Sequence, residues 1–332
     1  METRKVQVTG GSTYTVSLPK EWATTNGVDS DTTVEFHSED DLLLLTPQRD
    51  DGRTEGTLDI TGLEDDTGLT RAVMTMYVSG FDVINLKTER MTAQQRRTIR
   101  DATQGLVGLE VIEEMPNKMV LQDLLDSSEL SIKNAITRMR LVALTMLEDA
   151  VEALLTDADA LAQDVIERDD DVDRLWYMTS RVFRTVLRNP TAANEIGFSR
   201  ETCFDFQSSA RQLERIADHA TKIAELALEV GEIPDNAVGP LRELQTEASR
   251  VPETAMDALL ADDSEEAVEL AGEARDHISI VDEKVRDVDK EIHQVEPQLA
   301  QVLGLVVDSL SRTADYGANI AENALQKAAP EP

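Results

Sequence analysis

Asp169 and Asp173 stand four residues apart, as do Glu214 and Asp218. In a helix that spacing puts each pair on one face. The first face runs Ile166, Asp169, Asp173, Trp176, Ser180, Phe183, so two carboxylates interrupt a mostly apolar row. Glu214 and Asp218 border a second stripe of Ala210, Leu213, Ala217, Ala220 and Ala224. Carboxylates placed this way repel each other and lose hydration unless a cation or a basic partner joins them. Four of them from two neighbouring helices supply the oxygen ligands that Mg, Mn or Fe prefer, with Zn not distinguished from these. The plain alternative is a solvated acidic face, since acidic pairs at this spacing are common in so acidic a chain.

Other chemistries find less support. A di-metal catalytic bundle needs Glu-x-x-His pairs on inward faces, and the sequence has none. His219 and His277 each follow an aspartate, as half-exposed helical histidines do. The single cysteine, Cys203, and four histidines give neither a disulfide framework nor a Cys/His zinc site. There is no G-x-x-x-x-G-K-[ST] or G-x-G-x-x-G run, and Gly10-Gly11-Ser12 reads as a hairpin turn. The expectation is a protein that is not an enzyme.

The charge balance narrows the partners. The chain has 332 residues, with 65 Asp and Glu against 32 Lys and Arg, a net charge of −33. At 41% hydrophobic residues it folds rather than forming an acidic tail. Among the cations, 23 are Arg and 9 are Lys, and carboxylates cover the whole length. That pattern suits a surface kept hydrated in molar salt, where repulsion is screened; an ordinary acidic protein is the alternative. No apolar run approaches a membrane span, and Met1 leads into a charged strand, so a soluble, cytoplasmic protein is expected. Cations gather in two places. Residues 1–50 hold Arg4, Lys5, Lys20 and Arg49 against nine acids. Lys87, Arg90, Arg96, Arg97 and Arg100 face only Glu89, and the spacing puts Arg96, Arg97 and Arg100 on one helix face. This second patch would meet DNA or an acidic protein surface, unless the chain's own carboxylates occupy it.

Elements that position these residues follow from pattern. Lys5–Thr9, Tyr14–Leu18, Thr33–His37 and Leu42–Thr46 read as strands, with a helical turn opened by Pro19 and closed by Asn26-Gly27. Asp50–Arg53 reads as a linker. Strands at Thr57–Ile60, Asp82–Leu86, Leu109–Glu113 and just before Leu125 alternate with helices at Gly68–Ser79 and Thr92–Gln104, a small α/β layer. From Ser127 onward the spacing is helical: 131–156, 158–188, 200–230, 238–261, 264–294 and 297–327.

These six helices contain a repeat. Leu213–Leu228 matches Leu310–Leu325 at nine of sixteen positions, and Glu148–Asp157 matches Glu253–Asp262 at six of ten. Both matches come in the same order, which makes two three-helix units. In the second unit Asp315 stands for Asp218 and Ser311 for Glu214, while Asp282 serves only under a shifted alignment. One good carboxylate cluster and one degraded cluster are expected.

The tandem with Glu214-Arg-Ile-Ala-Asp218 and Val165-Ile-Glu-Arg-Asp169-Asp-Asp-Val-Asp173 resembles the PhoU family of phosphate-uptake regulators over about 131–327. Residues 3–48, with Val8-Thr9-Gly-Gly-Ser-Thr-Tyr-Thr-Val-Ser-Leu-Pro19-Lys20 and Asn26-Gly27-Val28, resemble an AbrB/SpoVT swapped-hairpin domain. The chain is thus expected to be multi-domain and mainly α: the resemblance implies a swapped-hairpin β domain at 1–50 and PhoU-like repeats at 127–230 and 237–327, and the strand and helix pattern alone gives the small α/β domain at 54–125. It implies control of phosphate transport as a homodimer, DNA contacts through Arg4, Lys5 and Lys20, or docking on the ATPase of a phosphate ABC transporter instead. It also implies metal clusters at Asp169, Asp173, Glu214 and Asp218, and at Asp282 and Asp315.

Overall fold

The computed structural model describes residues 3–39, 42–47, 54–63, 66–125 and 131–330. Arg49, the expected linker Asp50–Arg53 and Ser127 lie outside them. The chain divides into two compact units, Met1–Arg53 and Thr54–Pro332.

The first unit is built from β1 (Gln7–Thr9), β2 (Thr13–Thr15), α1 (Lys20–Thr25), β3 (Val34–Glu39) and β4 (Leu42–Pro47). β1 pairs antiparallel with β2, and β3 with β4, as two separate ladders. Gly10 and Gly11, at φ +65° and +84°, make the first turn, a conformation that glycine adopts without cost. None of this unit's described residues is buried.

The second unit begins with a four-stranded sheet of β5 (Glu55–Asp59), β6 (Val83–Lys87), β7 (Leu109–Glu114) and β8 (Lys118–Asp123), ordered β5-β6-β8-β7. β5 and β6 run parallel, joined through α2 (Asp66–Val78); the other pairs are antiparallel. α2 and α3 (Ala93–Gln104) pack Leu69, Val73, Tyr77 and Ile99 onto Ile84, Leu86, Met119 and Leu121. α3 starts at Thr92 with a reciprocal cap: the Thr92 side chain accepts from the Gln95 backbone, and the Gln95 side chain from the Thr92 backbone.

Then come α4 (Ile132–Thr156), α5 (Asp159–Arg188), α6 (Pro190–Ile196), α7 (Arg200–Glu229), α8 (Asp235–Leu260), α9 (Ser264–Ile292) and α10 (Pro297–Ala328). α4 packs on α5 and α7, α8 on α9 and α10, and α7 meets α10 between the two trios. The stripe Ile132, Ile136, Met139, Ala143, Met146, Ala150 and Leu154 is wholly buried in one continuous core shared by both trios. Two differences from the sequence reading stand out. The break at Asn189-Pro190 holds a short helix, α6, for which Pro190 supplies a preset φ at the first position. α8 starts at Asp235, before the expected 238, and like the expected helix runs on through Pro240 and Pro252. Pro252 is accommodated where α10 presents Gly317: a Cβ there would lie 2.5 Å from the Pro252 nitrogen. No helix among the described residues is long and apolar enough to cross a membrane.

Candidate functional site

α5 and α7 lie side by side and bring Asp169, Asp173, Glu214 and Asp218 into one electrostatic neighbourhood. Burial, then the Asp169 and Asp218 charges, push the Asp173 carboxyl up to about 6. Glu214 is 8% exposed, and burial followed by the Asp218 charge pushes it up to about 7 against the pull of Arg211. Asp169 is raised by burial and by Asp218; Asp218, at the solvent edge, is raised by burial. All four therefore resist ionisation, as like charges sharing a partly dry site do.

The site's own cation is Arg211. Its guanidinium donates to Glu214 Oε1 at 2.5 Å and lies 5.3 Å from the centre of the Trp176 ring. Glu214 Oε2 is buried with no hydrogen-bond partner, an orphaned acceptor that costs stability. Tyr177 donates its hydroxyl to Asp173 Oδ2 at 3.4 Å. On α7, His219 faces Tyr316 of α10, with Nε2 3.3 Å from the hydroxyl. Among the described residues no three His, Cys, Asp or Glu side chains converge closely enough to hold an ion as they stand. The donor chemistry nonetheless suits a hard or borderline cation: carboxylate oxygens, one of them, Glu214 Oε2, buried and unpaired.

The second repeat is different. Asp282 is exposed on α9, and Asp315 is exposed on α10 and ion-paired with Arg312 at 3.4 Å. Solvated carboxylates stand there instead of half-buried ones.

The basic residues divide in the same way. Arg96 and Arg100 both grip Glu114, each at 2.5 Å, and Arg96 also donates to the Met115 carbonyl. Arg97 is exposed and its charge acts on Asp66. The patch is thus largely occupied by the chain's own acids. Arg4, Lys5 and Lys20 are exposed, with Lys20 opening α1.

Sequence reasoning passed over Arg211, Tyr177 and Arg181. Arg181, on α5, is 4% exposed. It donates to Asp123 Oδ2 and Asp82 Oδ1, each at 2.8 Å, and to the Tyr77 and Phe81 carbonyls, each at 2.9 Å. The only signal was periodic: 169, 173, 177 and 181 recur every four residues, along one slanted row of the helix.

Residues 136–227, which include all four carboxylates, match the family described as PhoU domain. Residues 7–53 match the family described as antidote-toxin recognition MazE, bacterial antitoxin. The chain is 28% identical over 184 residues to the phosphate-specific transport system accessory protein PhoU homolog of Pseudomonas aeruginosa, covering 52% of this chain and 72% of that protein. It is 25% identical over 200 residues to the PhoU homolog 1 of Thermotoga maritima, covering 58% and 84%. The crystal structure of PhoU from Pseudomonas aeruginosa is similar with a TM-score of 0.50 at 25% identity, over 58% of this chain and 93% of that one.

Proposed function

We infer that this chain, which joins a PhoU domain to an N-terminal domain of the MazE type, is a homodimeric cytoplasmic regulator of phosphate transport and not an enzyme. The observation that carries this reading is the likeness of its helices to 93% of the Pseudomonas PhoU chain, with the carboxylate quartet inside the matched span. The relatives are named as accessory proteins of a phosphate transport system.

Dimerisation through the first unit is supported by the lack of a buried residue among its described residues. Val6, Val8, Tyr14, Phe36 and Leu43 are each more than half exposed. Apolar strands of this kind need a second copy to cover them. Arg4, Lys5 and Lys20, doubled in the dimer, would then contact DNA. At net −33 and in the molar salt this surface suits, counterion release adds little, so base and shape contacts would have to select the site.

Asp169, Asp173, Glu214 and Asp218 would hold the divalent or iron-type cation. Its positive charge would offset the mutual repulsion of the four carboxylates. Arg211, stacked on Trp176, pairs with Glu214, and Tyr177 donates to Asp173. In the proposed mechanism the state of this quartet sets how the dimer engages DNA. The second reading, in which the chain docks on the transporter ATPase and the first unit only joins two copies, is favoured by the sparse cations there.

Capture of genomic DNA by the full chain in molar KCl, against an Arg4→Glu/Lys5→Glu/Lys20→Glu variant, separates the two. Enrichment upstream of phosphate-transport genes that is lost in the variant supports the regulator of transcription. Equal recovery by both proteins overturns it, and co-purification of the ATPase without DNA supports the docking reading.

A further inference from the structure

A slanted row on α5 carries Asp169, Asp173, Tyr177 and Arg181 at successive turns. The lower two residues belong to the quartet. The upper two belong to the α/β layer: the Tyr177 side chain packs on that layer's core, and Arg181 is its clamp. The Arg181 guanidinium binds the end of α2 through the Tyr77 carbonyl, the following loop through Phe81, the start of β6 through Asp82, and the end of β8 through Asp123. It also lies 5.0 Å from the Tyr77 ring centre. Two helical turns further on, Arg188 donates to the Ser79 carbonyl. Cations at the C-terminal end of α2 complement its dipole as well as its free carbonyls. The α/β layer is therefore held on α5 by buried polar bonds, and its hold begins one turn from Asp173.

The second repeat has no such ladder. At the corresponding offset its residues are Ala274, Ile278, Asp282 and Arg286, and the contacts of α9 are with α8 and α10. The ladder occurs on the repeat that bears the α/β layer.

We propose that Tyr177 couples the quartet to the α/β layer, so that whatever draws the Asp173 carboxylate away from the Tyr177 hydroxyl loosens the layer's docking on α5. At 3.4 Å this hydrogen bond is long, and a cation held by the carboxylates would compete with Tyr177 for the Asp173 carboxylate. Losing it frees the ring's polar end, and the ring lies against the core that Arg181 anchors. The α/β layer thereby becomes the part of the chain that responds when the quartet is filled. This rests on the quartet being the functional site, yet its test needs no cation.

Hydrogen exchange of the full chain, without added metal, reads the docking directly. Tyr177→Phe and Asp173→Ala should each speed exchange of the amides across residues 77–83 and 119–124 by about fivefold, the worth of one net hydrogen bond. The double variant should be no faster than either single one, because both remove the same bond. Asp173→Asn keeps an acceptor oxygen and a similar volume, and should stay within about twofold of the parent. Arg181→Lys, which cannot form the planar fork, should speed the same amides and so shows that they report docking. No change in either single variant, a multiplicative double variant, or an Asp173→Asn effect as large as that of Asp173→Ala would overturn the coupling. Failure of cation binding alone would leave it standing.

Discussion

Replacing Glu214 by glutamine should stabilise this protein, and only above a certain pH. The carboxyl titrates at about 7 in the fold against 4.5 for the free side chain, because burial and the Asp218 charge oppose its ionisation. The folded state thus holds a proton that the unfolded state has released. Stability is fully present below about pH 4.5 and falls as pH rises through about 7. That shift corresponds to roughly 3 kcal/mol of strain in the ionised form. Glutamine removes the charge and gives the orphaned position a neutral amide, at the cost of weakening the bond from Arg211, about 1 kcal/mol. The net gain at about pH 8 is about 2 kcal/mol, a rise in Tm of about 4 °C for the second unit. At about pH 5 parent and variant should melt together, since the parent is protonated there. Because Glu214 is buried, salt should screen little of the difference. The assay is thermal melting followed by helical circular dichroism, across that pH range and without divalent cations. A variant that melts lower than the parent at about pH 8, or that gains equally at both pH values, would refute the electrostatic account of the site.

Three further outcomes follow from the packing. Arg181→Met should destabilise the chain by about 3 kcal/mol, because it leaves the Asp82 and Asp123 carboxylates without their buried partner; urea titration should show residues 54–125 losing protection first. Gly317→Ala places a Cβ against the backbone of Pro252 and should cost about 2 kcal/mol by forcing α8 and α10 apart, read as a lower urea midpoint. Glu114→Ala removes the acid that occupies Arg96 and Arg100, leaving them and Arg97 to an outside anion. Retention on a heparin column should increase, and unchanged retention would show that the three do not act as one patch.

Much of the architecture was legible because it is written in local periodicity. The apolar stripe from Ile132 to Leu154 placed α4 within a residue or so, and the Ser131 and Ser199 side chains that cap α4 and α7 are seen only in the structure. The quartet was legible for the same reason: each pair sits on one helix, and only the adjacency of α5 and α7 had to be supplied. Arg181 was not legible, because its acceptors lie 58 to 104 residues away in sequence. Arg96 and Arg100 were correctly placed on one face, but Glu114 reaches them from β7 across 18 and 14 residues, which no helix pattern announces. The start of α8 at Asp235, upstream of the expected 238, was missed because the Gly231–Pro240 stretch reads as a break.

The most direct test of the central claim is a titration of the full chain with Mn(II), followed by Tm and by bound metal after gel filtration. With the quartet as the cation site, the parent should bind and melt higher with metal, while Asp173→Asn should melt higher without metal and gain little from it. A parent whose melting is indifferent to Mn(II), or an Asp173→Asn variant that binds and gains as the parent does, would contradict the assignment of Asp169, Asp173, Glu214 and Asp218 as the functional site.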